Sequence, residues 1–166
     1  MDLMMEQSFL QNHYDLKPVD IGYEFVTEKG VPYLVTFVEY TLFDISPDLK
    51  TYSFNIERLS EQNAKLGQQD DKVRNTVLYV IYRFFLLNQD ALITVCDSTD
   101  GRQTARKRLF DGWFDRFNDG SLTKTDGTFT IEGHVNFASL IYCSVNKYGA
   151  DLLREFKLLE DANFYN

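Results

Sequence analysis

The chain has 166 residues, of which 44% are hydrophobic, 15% aromatic and 25% charged. This length and composition fit one domain with an apolar core and exclude an intrinsically disordered chain. The formal net charge of −8 disfavours binding of the surface as a whole to DNA, RNA or an anionic membrane.

The cysteines and the apolar runs indicate the cell compartment. Cys96 and Cys143 lie inside apolar segments and are interpreted as buried thiols of a reducing compartment, with a disulfide between them as the alternative. Residues 1–6 lack the basic start and apolar core of a signal peptide. The most apolar run, 77–87, is too short to span a bilayer. The sequence therefore predicts a cytoplasmic protein with no membrane segment.

The first half of the chain predicts strands followed by a helix. Residues 1–18 show no firm period and are predicted to be a loose arm or a short helix ahead of a single domain, 19–166. Alternating apolar and polar residues predict three strands. These strands cover about 21–25, 33–43 and 52–56. After a polar loop, Asp70 favours the start of a helix that runs to about residue 87, because carboxylates stabilise the positive helix end.

The second half alternates strands and helices. The apolar run 91–96 predicts an interior strand, and its place after a strand and a helix predicts a parallel pair. A second helix follows, and turn residues precede two final strands and a closing helix. The helix covers 103–117, the turns 118–121 and 125–127, the strands 129–131 and 137–145, and Asn146 is the expected N-cap of the closing helix. The order β-β-β-α-β-α-β-β-α predicts the α+β class, with helices packed on a mixed, mainly antiparallel sheet.

The candidate site follows the 91–96 strand, where a polar loop meets the start of a helix. Between residues 102 and 124 the local charge is +3, within a chain of −8. Arg102 and Arg106 are four residues apart, which suits joint binding of a phosphate or carboxylate. The alternative is a solvated face, or arginines paired with nearby aspartates. The candidate anion-binding residues are Asp97, Asp100, Arg102, Arg106 and Arg108.

Other chemical groups are sparse. Glu24, Glu39 and Glu57 lie on successive predicted strands, either as an acid–base pair or as the wet face of a sheet. The two histidines, His13 and His134, have no metal-ligand spacing with the cysteines, so no metal site is predicted. Phosphate-loop, dinucleotide-binding and serine-hydrolase motifs are missing from the sequence.

The element order, together with the segment Ala105–Phe114, resembles the GNAT acetyltransferase fold. In that family an Ala precedes a Leu-Tyr pair in the penultimate helix, and the Tyr is the common general acid. Here Phe110 stands at the Tyr position and cannot donate a proton. The stretch 64–72, which corresponds to the family's pyrophosphate loop, has one Gly and two Asp. The chain also looks like small uncharacterised bacterial proteins with a similar Ala-Arg-x-Arg-Leu-aromatic helix.

These observations favour a non-enzymatic protein-binding module, such as an antitoxin, an immunity protein or another accessory component of a bacterial multi-component system. The expected partner is another protein, with self-association left open, and no cofactor is predicted. One alternative is a divergent GNAT-like acyltransferase or other phosphate-ligand enzyme, for which the resemblance implies acetyl-CoA. The other is contact with nucleic acid through the basic residues 102–108.

Overall fold

The computed structural model describes residues 8–60, 70–96 and 103–164, in which four helices and seven strands are present. The helices are α1 (Ser8–Gln11), α2 (Asp71–Leu87), α3 (Gln103–Phe117) and α4 (Gly149–Phe164). The strands are β1 (Lys17–Val19), β2 (Gly22–Val26), β3 (Pro32–Glu39), β4 (Thr51–Arg58), β5 (Ala91–Cys96), β6 (Leu122–Ile131) and β7 (His134–Cys143). The strands follow the sheet order β1-β2-β3-β4-β5-β7-β6 and are mostly antiparallel, which confirms the α+β class and the predicted order of elements. No helix in the described ranges is long and apolar enough to cross a membrane.

The chain divides into two compact units, each built from two segments. Unit 1 contains residues 1–38 and 54–88, and unit 2 contains residues 39–53 and 89–166. The predicted division into an arm, 1–18, and a single domain, 19–166, stays a prediction.

Unit 1 contains α2 together with β2, β3 and the end of β4, and the Phe84 ring of α2 stacks on Phe37 of β3. Asp70 caps α2, because its carboxylate accepts hydrogen bonds from the amides of Lys72 and Val73. This confirms the predicted helix start. Apolar side chains of α2 are buried together with those of the strands. They include Phe25, Val35, Phe54, Val77, Val80, Ile81, Phe84 and Phe85.

The N-terminal segment of unit 1 contains the short helix α1 and the strand β1. Tyr14 is buried, and its ring stacks on Phe25 with the centroids 5.8 Å apart. The buried side chains Asn75 and Thr76 of α2 hold the same segment by hydrogen bonds to the backbone of Asn12 and Tyr14. The backbone before β1 is therefore fixed on α2.

Unit 2 is built on the strands β5, β7 and β6. Helix α4 packs on β6 and β7, and α3 packs on β5 and β7. The core beside α4 contains Ala91, Ile93, Ala138, Leu140, Tyr142, Leu152 and Phe156. Four apolar side chains of the segment 39–53 pack against this core, namely Leu42, Phe43, Ile45 and Leu49. The segment therefore belongs to the fold of unit 2 although it precedes α2 in the chain.

The starts of β4 and β5 lie side by side within unit 2. The Ala91 amide donates to the Lys50 carbonyl at 3.0 Å, and the Lys50 amide donates to the Asp90 carboxylate at 2.8 Å. Two strands that begin next to each other point the same way, as expected for the parallel pair predicted across α2.

Two predicted boundaries are wrong by four residues or more, while smaller shifts place the last strand at His134–Cys143 and the start of the closing helix at Gly149 instead of next to Asn146. The second strand was expected to reach Phe43 but ends at Glu39, because Leu42 and Phe43 turn onto the core of unit 2. The segment 125–127 was expected to be a turn but lies inside β6. There Gly127 is buried beneath α4. A tight turn at 132–133 joins β6 to β7, with φ of 49° at Glu132 and 79° at Gly133.

Candidate functional site

The candidate site lies in unit 2, on the face of the sheet that α3 covers. Strand pairing aligns Thr94 of β5, Ser139 of β7 and Asp126 of β6 in one row across this face. Lys124 precedes Asp126 by two residues and therefore points to the same face. Helix α3 brings Lys107 and Asp111, one helical turn apart, over these strands.

Two lysines and two aspartates form one cluster here, called the Lys–Asp cluster: Lys107, Asp111, Lys124 and Asp126. The Lys124 ammonium lies 2.6 Å from a carboxylate oxygen of Asp111 and 2.6 Å from one of Asp126. Lys107 pairs with Asp111 and, at 3.4 Å, with Asp126. The Ser139 hydroxyl donates to Asp126 at 2.7 Å. With two positive and two negative charges, the cluster neutralises itself.

The surroundings of the cluster strengthen its internal pairing. The Lys124 side chain is 8% exposed, and its ammonium lies 5.8 Å from the centroid of the Phe114 ring. Lys107 lies 6.0 Å from the centroid of the Phe137 ring. The nearly buried Lys124 ammonium therefore attracts its two carboxylate partners more strongly than it would on an open surface.

The protonation states of the cluster follow from its contacts. The hydrogen bond to Asp111 raises the pKa of Lys107 despite partial burial. Burial opposes ionisation of Asp126, but hydrogen bonds from Lys124 and Ser139 and the charges of both lysines outweigh it, so its pKa lies below the ordinary 3.8. Lys107 therefore stays a cation and Asp126 an anion at neutral pH, and neither suits a general base or general acid.

The predicted anion-binding residues are only partly within the described chain. Asp97, Asp100 and Arg102 lie outside the described residues. Arg106 is half-buried on α3, while Arg108 is exposed. Two residues apart on a helix, Arg106 and Arg108 point to nearly opposite sides and do not form a joint anion clamp. Lys107, between them, is paired with aspartates, so the basic run offers fewer unpaired charges than its sequence suggests.

Cys96 lies at the end of β5 beside the same helix. Burial raises the pKa of its thiol, as does the charge of Asp111, and the opposing charges of Arg106, Lys107 and Lys124 do not offset this. Burial also raises the pKa of Cys143. Both cysteines are free. Because Cys96 pairs with Phe137, it lies about 20 Å along β7 from Cys143, too far for a disulfide.

The glutamates proposed as an acid–base pair do not face one another within unit 1. Glu24 of β2 lies opposite Leu34 of β3 on one side and opposite Lys17 of β1 on the other. Glu57 is exposed on β4. In unit 2, Glu39 is exposed and forms an ion pair with Lys50 at 3.4 Å. Within the ranges that the structure describes, no three His, Cys, Asp or Glu side chains come together as metal ligands.

A second candidate is an open cleft of about 450 Å³ in unit 1, lined in part by Tyr14, Lys17, Glu24 and Lys72. The Tyr14 hydroxyl donates to Asp70 at 2.7 Å. Burial and this bond raise the pKa of Tyr14 to about 12. The Lys72 ammonium lies 4.7 Å from the centroid of the Tyr14 ring and 3.7 Å from Glu28. Lysines and carboxylates both line the cleft, so it does not select a ligand by charge.

Sequence reasoning missed most of the Lys–Asp cluster. Asp126 was assigned to a turn, and Ser139 was assigned only to an apolar strand. The available signals were the four-residue spacing of Lys107 and Asp111 and the two-residue spacing of Lys124 and Asp126. Each spacing predicts a shared face, but neither predicts that the two faces meet.

Fold and site together define a small α+β protein with an internally neutralised Lys–Asp cluster beneath α3. A family model matches residues 69–158, which is more than half of the chain, and the chain belongs to this family, the family of unknown function DUF6169. The match fits the expected likeness to small uncharacterised proteins. No curated protein and no solved structure matches the chain, and the comparisons give no support to the GNAT resemblance.

Proposed function

We propose that the chain is a non-enzymatic protein-binding module that works in the cytoplasm as an accessory component of a bacterial multi-component system, of the antitoxin or immunity type. The observation that carries this proposal is a group of aliphatic side chains exposed at one end of unit 1. We call this group the leucine end and define it as Ile21, Leu86 and Leu87. Their exposed fractions are 50%, 51% and 74%.

The leucine end adjoins one aromatic pair, Phe37 and Phe84. The Ile21 carbonyl accepts a hydrogen bond from the Phe37 amide at 2.7 Å. The Phe37 ring stacks on Phe84, with the centroids 5.1 Å apart, and Leu87 follows Phe84 by one helical turn. Exposed apolar side chains at one end of a folded unit mark a candidate surface for protein binding. Because Leu87 at the end of α2 is 74% exposed, its side chain buries little apolar surface in unit 1.

The chemistry of the Lys–Asp cluster supports a binding role over a catalytic one. Its Lys107 and Asp126 are held in the charged states that pair with each other. The neighbouring Cys96 thiol has a raised pKa, which disfavours the nucleophilic thiolate. We therefore expect the cluster to hold α3 on the sheet and not to transform a substrate.

The test is affinity capture of the tagged chain from its own host after chemical cross-linking, with quantitative mass spectrometry. We expect a protein that is enriched with the wild type and lost at least tenfold with Leu86→Ser/Leu87→Ser. Arg83→Ser, an exposed change on the same helix, is the matched control and should retain the partner. The purified partner should then bind the wild type and not the double variant.

Two outcomes contradict the proposal. One is equal recovery of every captured protein with the double variant and with the wild type. The other is turnover of a substrate by the purified protein that is abolished by Arg106→Ala. Melting curves of both variants show first whether each is folded.

A GNAT-like acyltransferase is the second candidate, and one observation favours it. The order of strands and helices, with the starts of β4 and β5 side by side, agrees with what that resemblance implies. Acetyl-CoA should then raise the melting temperature in proportion to the logarithm of its concentration. If it causes no shift at saturating concentration, this candidate is excluded.

A further inference from the structure

Strand β6 forms the outer edge of the sheet in unit 2. It has ten residues and pairs on one side with β7, in register from Leu122 opposite Cys143 to Ile131 opposite His134. Every second residue of an edge strand turns its backbone amide and carbonyl outward, where another strand can pair with them. On β6 these residues have even numbers, as the contacts below show.

At the beginning of β6, one asparagine occupies the outward backbone groups. The Asn118 side-chain amide donates to the Leu122 carbonyl at 2.8 Å, and its oxygen accepts from the Leu122 amide at 3.3 Å. The backbone amide of Asn118 donates to the Phe114 carbonyl at the end of α3. The side chain therefore makes the same two bonds that a residue of a neighbouring strand would make.

At the other end of β6, three side chains of α4 bind the outward backbone groups of the strand. The Thr130 amide donates to Asn163 at 2.7 Å, and Asn163 donates to the Thr130 carbonyl at 3.1 Å. The Thr128 amide donates to the Glu160 carboxylate. The Lys157 ammonium donates to the Asp126 carbonyl at 3.2 Å. Four residues of the edge strand are thus bound by side chains in place of another strand.

Close approach of α4 depends on Gly127. A Cβ atom at this position would lie 2.8 Å from the Glu160 carboxylate and 2.9 Å from the Phe156 ring, both closer than ordinary contact. Phe156 is 1% exposed and anchors α4 on the sheet. The glycine therefore lets the helix come near enough for its polar side chains to reach the edge.

We propose that Asn118, Lys157, Glu160 and Asn163, which we call the edge guard, close a strand-addition site on β6, and that the partner they exclude is the β6 edge of a second copy of this chain. The strand is self-complementary in charge. In an antiparallel pair centred on Thr125, Lys124 of each copy lies opposite Asp126 of the other, and opposite charges in this position stabilise a pair. Because 124 and 126 both turn their backbone outward, this register also forms hydrogen bonds.

The test compares the wild type with the guard variant, Asn118→Ala/Glu160→Ala/Asn163→Ala, because Leu122, which Asn118 occupies, is the partner of Thr128 in the proposed register. Arg154→Ala/Asp161→Ala on exposed positions of α4 is the matched control. Amide hydrogen exchange is followed by NMR at low micromolar concentration. We expect the Thr128 and Thr130 amides to exchange at least about tenfold faster in the guard variant and to be unchanged in the control.

Association is then measured by sedimentation from micromolar to millimolar concentration. The guard variant should dimerise and recover protection at Thr128, which in this register lies opposite Leu122 of the other copy, while the wild type and control stay monomeric. A Thr125→Cys change added to the guard variant should give a covalent dimer on oxidation, because the two Thr125 positions face each other across the two-fold axis.

Three results overturn the proposal: unchanged exchange at Thr128 and Thr130, faster exchange without association at millimolar concentration, or a dimer that Thr125→Cys does not cross-link. Should the guard variant fail to fold, Asn163→Ala alone is used. That single change should accelerate exchange at Thr130 and leave Thr128 protected by Glu160.

Discussion

At the scale of single residues, Asp126 is where the Lys–Asp cluster and the sheet meet. Its carboxylate accepts from Lys124 and Ser139 and also pairs with Lys107. Asp126→Asn should lower the free energy of unfolding at pH 7 by about 1–2 kcal/mol, since Lys124 is nearly buried and loses one of its two partners. This expected loss of unfolding free energy is at the low end for a charged hydrogen bond, because the Asp126 side chain is 41% exposed.

The loss of stability in Asp126→Asn depends on pH in a definite direction. Folding lowers the pKa of Asp126 below 3.8, so the carboxylate stabilises the folded state fully above that pH. Its contribution is lost as the pH falls through the lower, folded pKa. Denaturant unfolding of the wild type and Asp126→Asn should therefore differ at pH 7 and converge in acid. Asp115→Asn, an exposed change on α3, is the control, and an equal effect of both changes would contradict the prediction.

The same residue shows why the site could be predicted only in part. The segment Thr125-Asp126-Gly127 has turn chemistry, and local preference favours a turn there. Tertiary packing overrides that preference, because Gly127 admits α4 and Asp126 finds two lysines and a serine. The basic start of α3 was visible in the sequence, but its neutralisation by Asp111 and Asp126 depends on strand pairing between distant segments.

At the scale of elements, α2 holds the N-terminal segment by side chains that a helix rarely buries. Thr76 is 0% exposed. Its hydroxyl accepts from the Tyr14 amide at 2.9 Å and donates to the Lys72 carbonyl at 2.6 Å. Thr76→Val keeps the shape but leaves the Tyr14 amide buried without an acceptor. We expect a loss of about 1–3 kcal/mol in the free energy of unfolding and faster exchange of the Tyr14 amide.

The exposed change Thr41→Val serves as the control for the loss of a hydroxyl and should have little effect. Protection of the Tyr14 amide that survives in Thr76→Val would show that the segment is held in another way. Sequence reasoning predicted α2 itself well, because Asp70 and the apolar face are local signals. It left open whether residues before Pro18 are loose or helical, because their partners Asn75 and Thr76 lie about sixty residues away along the chain.

At the scale of the whole molecule, the chain passes between the two units more than once. Unit 2 needs residues 39–53, whose apolar side chains pack on its core before the chain continues into β4 and α2. The order of elements was predictable because each has its own period and turn residues. The interleaving of the units was not, since periodicity does not show which core an irregular segment such as 42–49 covers.

This interleaving predicts that the segment matched by the family model, residues 69–158, does not fold alone. The fragment lacks Leu42, Phe43, Ile45 and Leu49, and it ends before Glu160 and Asn163 reach β6. We expect the fragment to melt without a cooperative transition and to bind a hydrophobic dye. The full chain should melt cooperatively and should not bind the dye. In the full chain, Phe43→Ala should cost about 1–3 kcal/mol, because this ring is only partly buried, and the exposed neighbour change Asp44→Ala should cost almost nothing. A fragment that melts cooperatively would show that residues 69–158 contain a complete core, and the segment 39–53 would then be an addition to the fold and not a part of it.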